Sequence, residues 1–388
     1  MPHPPSPRCR ACAAPLTAPP VLSYRNMPGA AQNFPDAATL ADDSGQDLDL
    51  HECATCGLLQ LAGPPVPYYR EVIRAAAFSP EMRAFRLEQL GAWLDRHALR
   101  GKRLLEIGCG RGEYLELLAQ AGARATGLEY APAAVAHCRR QGLDVLRGFL
   151  ACPAQTLPVP AFNGFICLNF MEHWPQPVSS LRAIARNLVP GGLGLVEVPN
   201  FDMILKEGQY AEFISDHLSY FTLDSLGFTL RQAGFEVLDA RPVWHNYILS
   251  ATVRKRQPAD LSPLKAQQAN INRQLRAFID RFPPRSVAVW GAGHQALAAL
   301  ALGDLGGAIR YVVDSAPFKQ NRFTPATHLP IVPPARLADD PPAAIIVMAA
   351  SYSDEVARLI REHHRLDLPV AILRPHGLEH ASPARALK

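Results

Sequence analysis

Residues 103–122 read RLLEIGCGRGEYLELLAQAG. A short apolar run from Leu104 to Ile107 passes into Gly108, Gly110 and Gly112, and the apolar residues beyond them, Leu115, Leu118 and Ala119, recur at helical spacing. The period changes at the glycines, so the stretch is a strand, a tight turn and a helix. Such a unit brings backbone N–H groups close to a nucleotide-like ligand at the carboxyl end of a parallel strand. The next apolar segment, ARATGLEYAP at 123–132, ends in Glu129, about 20 residues after the glycines, where a carboxylate accepts hydrogen bonds from both ribose hydroxyls. A ribose-bearing cofactor is expected there.

Upstream, Met82, Phe85, Leu87, Leu90, Trp93 and Leu94 repeat at helical spacing from Ser79 to Ala98, and Gly101 stops the segment. Downstream come DVLRGFL (144–150), the apolar strand FNGFICLNFMEHW (162–174), the helix SSLRAIARNLV (179–189), the turn PGG (190–192) and the strand LGLVEVPN (193–200). Strands alternate with helices, which predicts an α/β fold with a parallel sheet. A redox dinucleotide enzyme is the competing reading, but E-x-G-C-G-x-G lacks the full G-x-G-x-x-G geometry a pyrophosphate needs. Cys109, between two of the glycines, reads as a small residue that fits beneath the ligand rather than as a nucleophile.

The chain has 388 residues, enough for two or three domains. Hydrophobic residues make up 48% and charged residues 19%, which excludes a disordered chain or a fibre. Lys plus Arg total 39 against 35 for Asp plus Glu, with no dense basic run, so nucleic acid is a poor default partner. The longest apolar runs, such as Ala343 to Ala350, fall short of a membrane span, and MPHPPSPRCRACAAP at 1–15 has no apolar core behind a basic start. The expected compartment is the cytosol. The 36 prolines cluster at joints, in PPVPYY, RFPPR, IVPPA and DDPP.

Four of the eight cysteines form two C-x-x-C pairs, Cys9 with Cys12 and Cys53 with Cys56, with 40 residues between the knuckles. Four thiolates close a tetrahedral shell around zinc and leave no open position for water, so a structural Zn2+ is expected. A redox C-x-x-C needs only one pair, and a reducing cytosol disfavours two disulfides.

These motifs together resemble the class I S-adenosylmethionine-dependent methyltransferases. LLEIGCGRGEYL is similar to their first motif, and the resemblance implies that Glu106, Gly108, Cys109 and Gly110 surround the methionine part of the cofactor and that Glu129 and Tyr130 meet its nucleoside. FICLNFMEHW is similar to the motif after the fourth strand, which implies Asn169 and Met171 as cofactor-lining, and LVPGGLGLVEVP to the turn before the fifth.

The cysteine knuckles, the central motifs and the C-terminal segments VAVWGAGHQALAAL (287–300), IRYVVDSAPFKQNRFTPATHLPIVPPARL (309–337) and AAIIVMAASYSDEV (343–356) together resemble the sugar C-methyltransferases of deoxysugar biosynthesis. That likeness implies a small zinc-binding domain over 1–70, a Rossmann-like methyltransferase domain over 71–256 and a second Rossmann-like α/β domain over 257–388. The implied acceptor is a small molecule, a nucleotide-linked 4-keto-6-deoxysugar methylated on the carbon beside its ketone.

Transfer of methyl to carbon needs a base for the neighbouring proton and a group for the enolate oxygen. EFISDHLSYFTLDSL (212–226) matches the family's acceptor segment, so the resemblance implies His217 as base, Asp216 at the acidic position and His173 as a second histidine near the sugar. An imidazole near its ordinary pKa accepts a proton at neutral pH, and an adjacent carboxylate tunes it. This chain departs from the family in having Ile214 for a tyrosine, Asp216 for a glutamate, His245-Asn246-Tyr247-Ile248 for H-G-G-S, and Gly291-Ala292-Gly293-His294-Gln295 for a lysine-bearing turn, although Lys319 remains. O- or N-methyl transfer to a different sugar or secondary metabolite is the second expectation, since it would tolerate these changes. A catalytically silent binding subunit is the third, and it predicts damage to Glu106, Gly108, Gly110 and Glu129 that the sequence does not carry.

Overall fold

The computed structural model describes residues 7–32, 34–71 and 79–380. They form two compact units, one ending at Pro258 and the other beginning at Ala259. The cysteine segment expected as a domain over 1–70 lies in the first unit; the expected joint after residue 70 runs into 72–78, and residues 1–6 are likewise outside the described residues.

The first unit starts with three strands, β1 (Leu22–Met27), β2 (Gln46–Glu52) and β3 (Leu59–Leu61), followed by helix α1 (Pro80–Arg96). Ser79 caps α1 by accepting the Met82 N–H at 3.1 Å, and Pro80 supplies a helical φ at the first position. The Rossmann-like part continues through β4 (Arg103–Ile107), α2 (Glu113–Gln120), β5 (Arg124–Glu129), α3 (Pro132–Arg140), β6 (Val145–Arg147), β7 (Phe162–Leu168), α4 (Pro177–Arg186) and β8 (Leu188–Pro199). Then come α5 (Phe201–Glu207), β9 (Ser219–Tyr220), α6 (Leu223–Gln232), β10 (Phe235–Val243) and β11 (Ile248–Lys255).

Seven of these strands make one sheet in the order β10-β11-β8-β7-β4-β5-β6. The expected parallel pairing holds from β8 to β6. β11 departs from it: a short hairpin reverses the chain after β10, and β11 inserts between β10 and β8, antiparallel to both. The PGG segment read as a turn lies inside β8, where the register slips between the Phe162–Leu188 and Gly164–Leu193 pairs. Strands grow outward from β4 through β5 to β6, then the chain returns to lay β7 on the other side of β4. This reversal opens a crevice at the carboxyl ends of β4 and β7, the position where doubly wound sheets bind ligands.

The core holds the sheet rigid beneath that crevice. Phe162, Phe165, Val196 and Val198 are fully buried with Leu181 and Ile184 of α4 and Leu226 and Leu230 of α6. Across the sheet α1 carries a buried Arg86 that ion-pairs with the equally buried Glu197 of β8, whose other oxygen accepts from Gln89 Nε2 at 2.6 Å.

β1, β2 and β3 form a second, antiparallel sheet, and its fourth strand is β9, a segment far along the chain. Leu59 pairs with Tyr220 and Gln60 with Ser219. The N-terminal module is thereby knitted into the segment that carries Asp216 and His217.

The second unit has α7 (Ser262–Ile279), β12 (Val287–Trp290), α8 (His294–Leu302), β13 (Ile309–Val313), β14 (Arg322–Phe323), β15 (Pro330–Val332), α9 (Arg336–Asp339), β16 (Ala344–Val347), α10 (Ser353–Glu362), β17 (Val370–Arg374) and β18 (Gly377–His380). Its sheet order is β14-β15-β13-β12-β16-β17-β18, parallel in the middle with antiparallel edges. Among the described residues of both units, no helix is long and apolar enough to cross a membrane.

Candidate active site

The cofactor turn follows β4. Gly108 has φ of 69°, and a Cβ there would lie 2.6 Å from the Phe170 ring, so only glycine lets the turn close against that aromatic. Gly110 has φ of 54°, and a Cβ on it would meet nothing within 4 Å. Its bare backbone therefore faces open space where a ligand can approach. Glu129, at the end of β5, accepts the Gly110 N–H at 2.9 Å on one oxygen and the Ala131 N–H at 2.7 Å on the other. Burial pushes its pKa up despite those donors, and each oxygen keeps a lone pair. A pair of ribose hydroxyls fits that need.

Glu106 is buried on β4 beside this turn. Cys109 turns inward: it is buried with Leu115, Val135 and Cys138, and a Cβ on Gly127 would lie 2.4 Å from its Sγ. Burial raises its thiol pKa, so no thiolate nucleophile forms at neutral pH. Tyr130 lines the cleft together with Gly108, Phe149, Phe170 and Trp174. The Arg70 guanidinium, also in the lining, stands 5.4 Å over the Tyr130 ring and 5.3 Å over Phe149. Asn169, just past β7, is held at φ of 51° with its N–H on the Glu197 carbonyl at 2.9 Å, a conformation that costs free energy for a non-glycine residue. Met171 is fully enclosed in the core.

Phe170 connects the turn to the acceptor segment. Its ring abuts Gly108 and lies 6.3 Å from the ring of His173. The His173 and His217 rings meet edge to face at 4.8 Å. His173 is buried, and its Nδ1 lies 2.8 Å from the backbone carbonyl of Asp216; we assign the proton to Nδ1, since a carbonyl only accepts, which leaves Nε2 with a free lone pair. Burial pushes His173 down to about 4, against the opposing pull of Asp216. His217 is half-buried on its surface, yet the groups packed around it, and then His173, lower its pKa well below 6.5. Both imidazoles are therefore neutral at pH 7.

Asp216 is buried, and its carboxylate points into the N-terminal module: Ala31 N–H donates to one oxygen at 3.0 Å, Tyr68 O–H to the other at 2.9 Å, and Ser215 O–H reaches it at 3.3 Å. Its contact with His173 is through its backbone carbonyl. At the departure from the family pattern, the Tyr220 hydroxyl donates to the Ile214 carbonyl at 3.1 Å and accepts its N–H at 3.0 Å. The 245–248 stretch is the tip of the β10–β11 hairpin, tied to Asn200 through Asn246 and Tyr247 carbonyls.

Glu172 escaped the sequence reading. It is buried between Met171 and His173, has one carboxyl oxygen without a hydrogen-bond partner, and lies 4.0 Å from His173 Nε2. Burial raises its pKa to about 8, so it is a neutral acid at pH 7. A glutamate wedged between apolar residues directly after a buried strand was the available signal. Tyr68, Arg70 and Phe149 had none, because their relation to the site is purely tertiary.

The cysteine knuckles adopt matching turns. Ala13 N–H returns to the Cys9 carbonyl and Gly57 N–H to that of Cys53, with φ of 60° at Ala13 and 69° at Gly57. Cys9 and Cys56 sulfurs are 3.5 Å apart, as are those of Cys12 and Cys53, and all four lie within 4.8 Å of one another. A tetrahedral Zn–S distance of about 2.3 Å places sulfurs about 3.8 Å apart, so this donor set fits zinc, while the separations are far from a disulfide.

A family model described as a methyltransferase domain matches residues 82–240, and one described as a C-methyltransferase C-terminal domain matches residues 253–367. C-methyltransferase NovU of Streptomyces niveus is 26% identical over 375 residues, covering 87% of this chain and 88% of that protein. A ubiquinone biosynthesis O-methyltransferase of Pseudomonas entomophila is 33% identical over 184 residues, 42% of this chain and 78% of that protein. A solved S-adenosylmethionine-dependent methyltransferase from Aquifex aeolicus is 18% identical with a TM-score of 0.36, covering 46% of this chain and 100% of that one.

Proposed function

The chain belongs to the class I S-adenosylmethionine-dependent methyltransferases, and on that premise we propose that it methylates the carbon beside the ketone of a nucleotide-linked 4-keto-deoxysugar. The observation that carries this reading is the pair of neutral imidazoles, His173 and His217, one aromatic ring away from the cofactor turn. Similarity to a C-methyltransferase along most of the chain supports it.

S-adenosylmethionine, when bound, supplies an electrophilic methyl group on a sulfonium sulfur. Gly108, Gly110 and Glu129 would hold it, with Glu106, Tyr130 and Asn169 around it. His217 would take the proton next to the ketone, leaving the C–H electron pair in an enolate whose carbon can take up the methyl group as its bond to sulfur breaks and that bond's electron pair stays on sulfur. A base already neutral at pH 7 needs no prior deprotonation. His173, fixed by its Nδ1–H on the Asp216 carbonyl, packs edge-on against His217 and sets its orientation. Glu172, as a neutral acid 4.0 Å from His173 Nε2, places no negative charge in the core beside the pair. Asp216 positions the segment through its buried carboxylate. Cys9, Cys12, Cys53 and Cys56 would hold a structural Zn2+ that fixes the module on which β9 is hung.

Methyl transfer to oxygen is the second reading, favoured by Ile214 and the rewritten 245–248 hairpin. Full-length protein given methyl-labelled S-adenosylmethionine and a panel of nucleotide 4-ketosugars, hydroxy sugars and amino sugars separates the two. Label on carbon beside the ketone is expected; label only on oxygen or nitrogen would reject carbon transfer.

A further inference from the structure

Arg10 sits inside the first cysteine knuckle, between Cys9 and Cys12. Its backbone N–H donates to Gln60 Oε1 at 2.8 Å. Its guanidinium donates through Nη1 to the Pro175 carbonyl at 3.0 Å and through Nη2 to the carbonyls of Leu61 at 3.0 Å and Gly63 at 2.6 Å. Pro175 ends the short segment that carries Glu172 and His173. Leu61, in turn, donates its N–H to the Leu218 carbonyl at 3.0 Å, and Leu218 donates its N–H to the Glu172 carbonyl at 2.9 Å.

These bonds close a ring: from Arg10 to Pro175, back along the chain to Glu172, across to Leu218 beside His217, on to Leu61, and back to Arg10. The two histidine-bearing segments are remote in sequence, and the ring adds to the direct His173–Asp216 bond between them. We infer that Arg10 is a positioning residue for the His173–His217 pair, clamping both segments onto the N-terminal module. A planar guanidinium suits this task because its fixed fork reaches carbonyls in two directions, whereas a lysine offers a single flexible charge. Catalytic geometry is lost steeply, with about 1 Å of displacement costing on the order of a hundredfold in rate.

The inference rests on the carbon-methylation reading only in its turnover arm. Full-length Arg10→Ala, Arg10→Lys and, as a control beside the same knuckle, Arg8→Ala, whose exposed side chain donates to the Ala13 carbonyl, are compared with wild type. Elemental analysis gives zinc content, calorimetry gives S-adenosylhomocysteine affinity, hydrogen exchange reports the amides of 215–220, and ketosugar turnover gives kcat. For Arg10→Ala we expect zinc unchanged, affinity within twofold, exchange at 215–220 at least tenfold faster and kcat at least tenfold lower. Arg10→Lys should recover part of both losses, and Arg8→Ala should match wild type. Unchanged exchange at 215–220 in Arg10→Ala would overturn the inference, as would a joint loss of zinc and cofactor affinity, which marks a damaged knuckle. If wild type turns over no ketosugar, the functional reading fails while the exchange arm still decides the role of Arg10.

Discussion

The two units of the chain contain the same device in two states. After β4, the Gly110 N–H and the Ala131 N–H bind the two oxygens of Glu129; after β12, the Ala292 N–H and the Ala316 N–H bind the two oxygens of Asp314 at 2.8 and 2.9 Å. One difference is a lysine. Lys319 Nζ lies 2.9 Å from Asp314, and together with the backbone donors it outweighs burial and lowers the Asp314 pKa, whereas burial leaves the Glu129 pKa raised. On the proposed reading, a strand-turn-helix with an acid at the next strand's end serves as a cofactor cradle when its carboxylate is left wanting donors. On the same reading, it is a structural joint when a cation from its own chain satisfies it, as Lys319 does Asp314.

The largest effect that would break this contrast is at Gly108. Gly108→Ala forces a Cβ against the Phe170 ring at a positive φ, and cofactor affinity by calorimetry should fall at least a hundredfold, on the order of 3 kcal/mol. Glu129→Gln removes the charged acceptor and should weaken S-adenosylmethionine by about tenfold or more. Wild-type affinity should also start to fall on acidification at a higher pH than an ordinary glutamate would give, because the raised pKa protonates Glu129 earlier.

Asp314→Asn sharpens the contrast from the other side. It should leave cofactor affinity within twofold while lowering the stability of the second unit by about 1–3 kcal/mol in urea melts. Lys319→Ala should cost less, about 1 kcal/mol. Asp314 has a depressed folded pKa, so its contribution is present above the unfolded value near 4 and is lost as pH falls through the folded one. Lys319→Ala should therefore move acid unfolding of this unit to higher pH. A Lys319→Ala protein with unchanged acid stability would remove the distinction between the two turns.

Both turns were legible because glycines at the end of an apolar strand are a local signal; the acid one strand later was read for Glu129, while Asp314 went unread. The acceptor site was legible only in part. Motif position brought out His173 and His217, but adjacency in sequence cannot tell which way a side chain points, and Asp216 spends its carboxylate on Ala31, Tyr68 and Ser215. The pairing of β9 with β3 and the reach of Arg10 to Pro175 join residues from opposite ends of the first unit, where no periodicity gives a signal. The antiparallel end of the sheet was missed for a simpler reason, a hairpin whose tip residues Trp244, His245 and Asn246 take positive φ without glycine.

The proposed carbon methylation needs a neutral imidazole that removes a carbon-bound proton. The direct measurement is the rate at which the full-length protein exchanges the proton beside the ketone of a nucleotide 4-ketosugar with deuterated solvent, followed from pH 5 to 8. The lowered pKa of His217 predicts a rate that is level down through the ordinary imidazole value of 6.5, falls only at more acidic pH, and disappears in His217→Ala. An acidic limb centred at or above 6.5, or exchange undiminished in that variant, would contradict it.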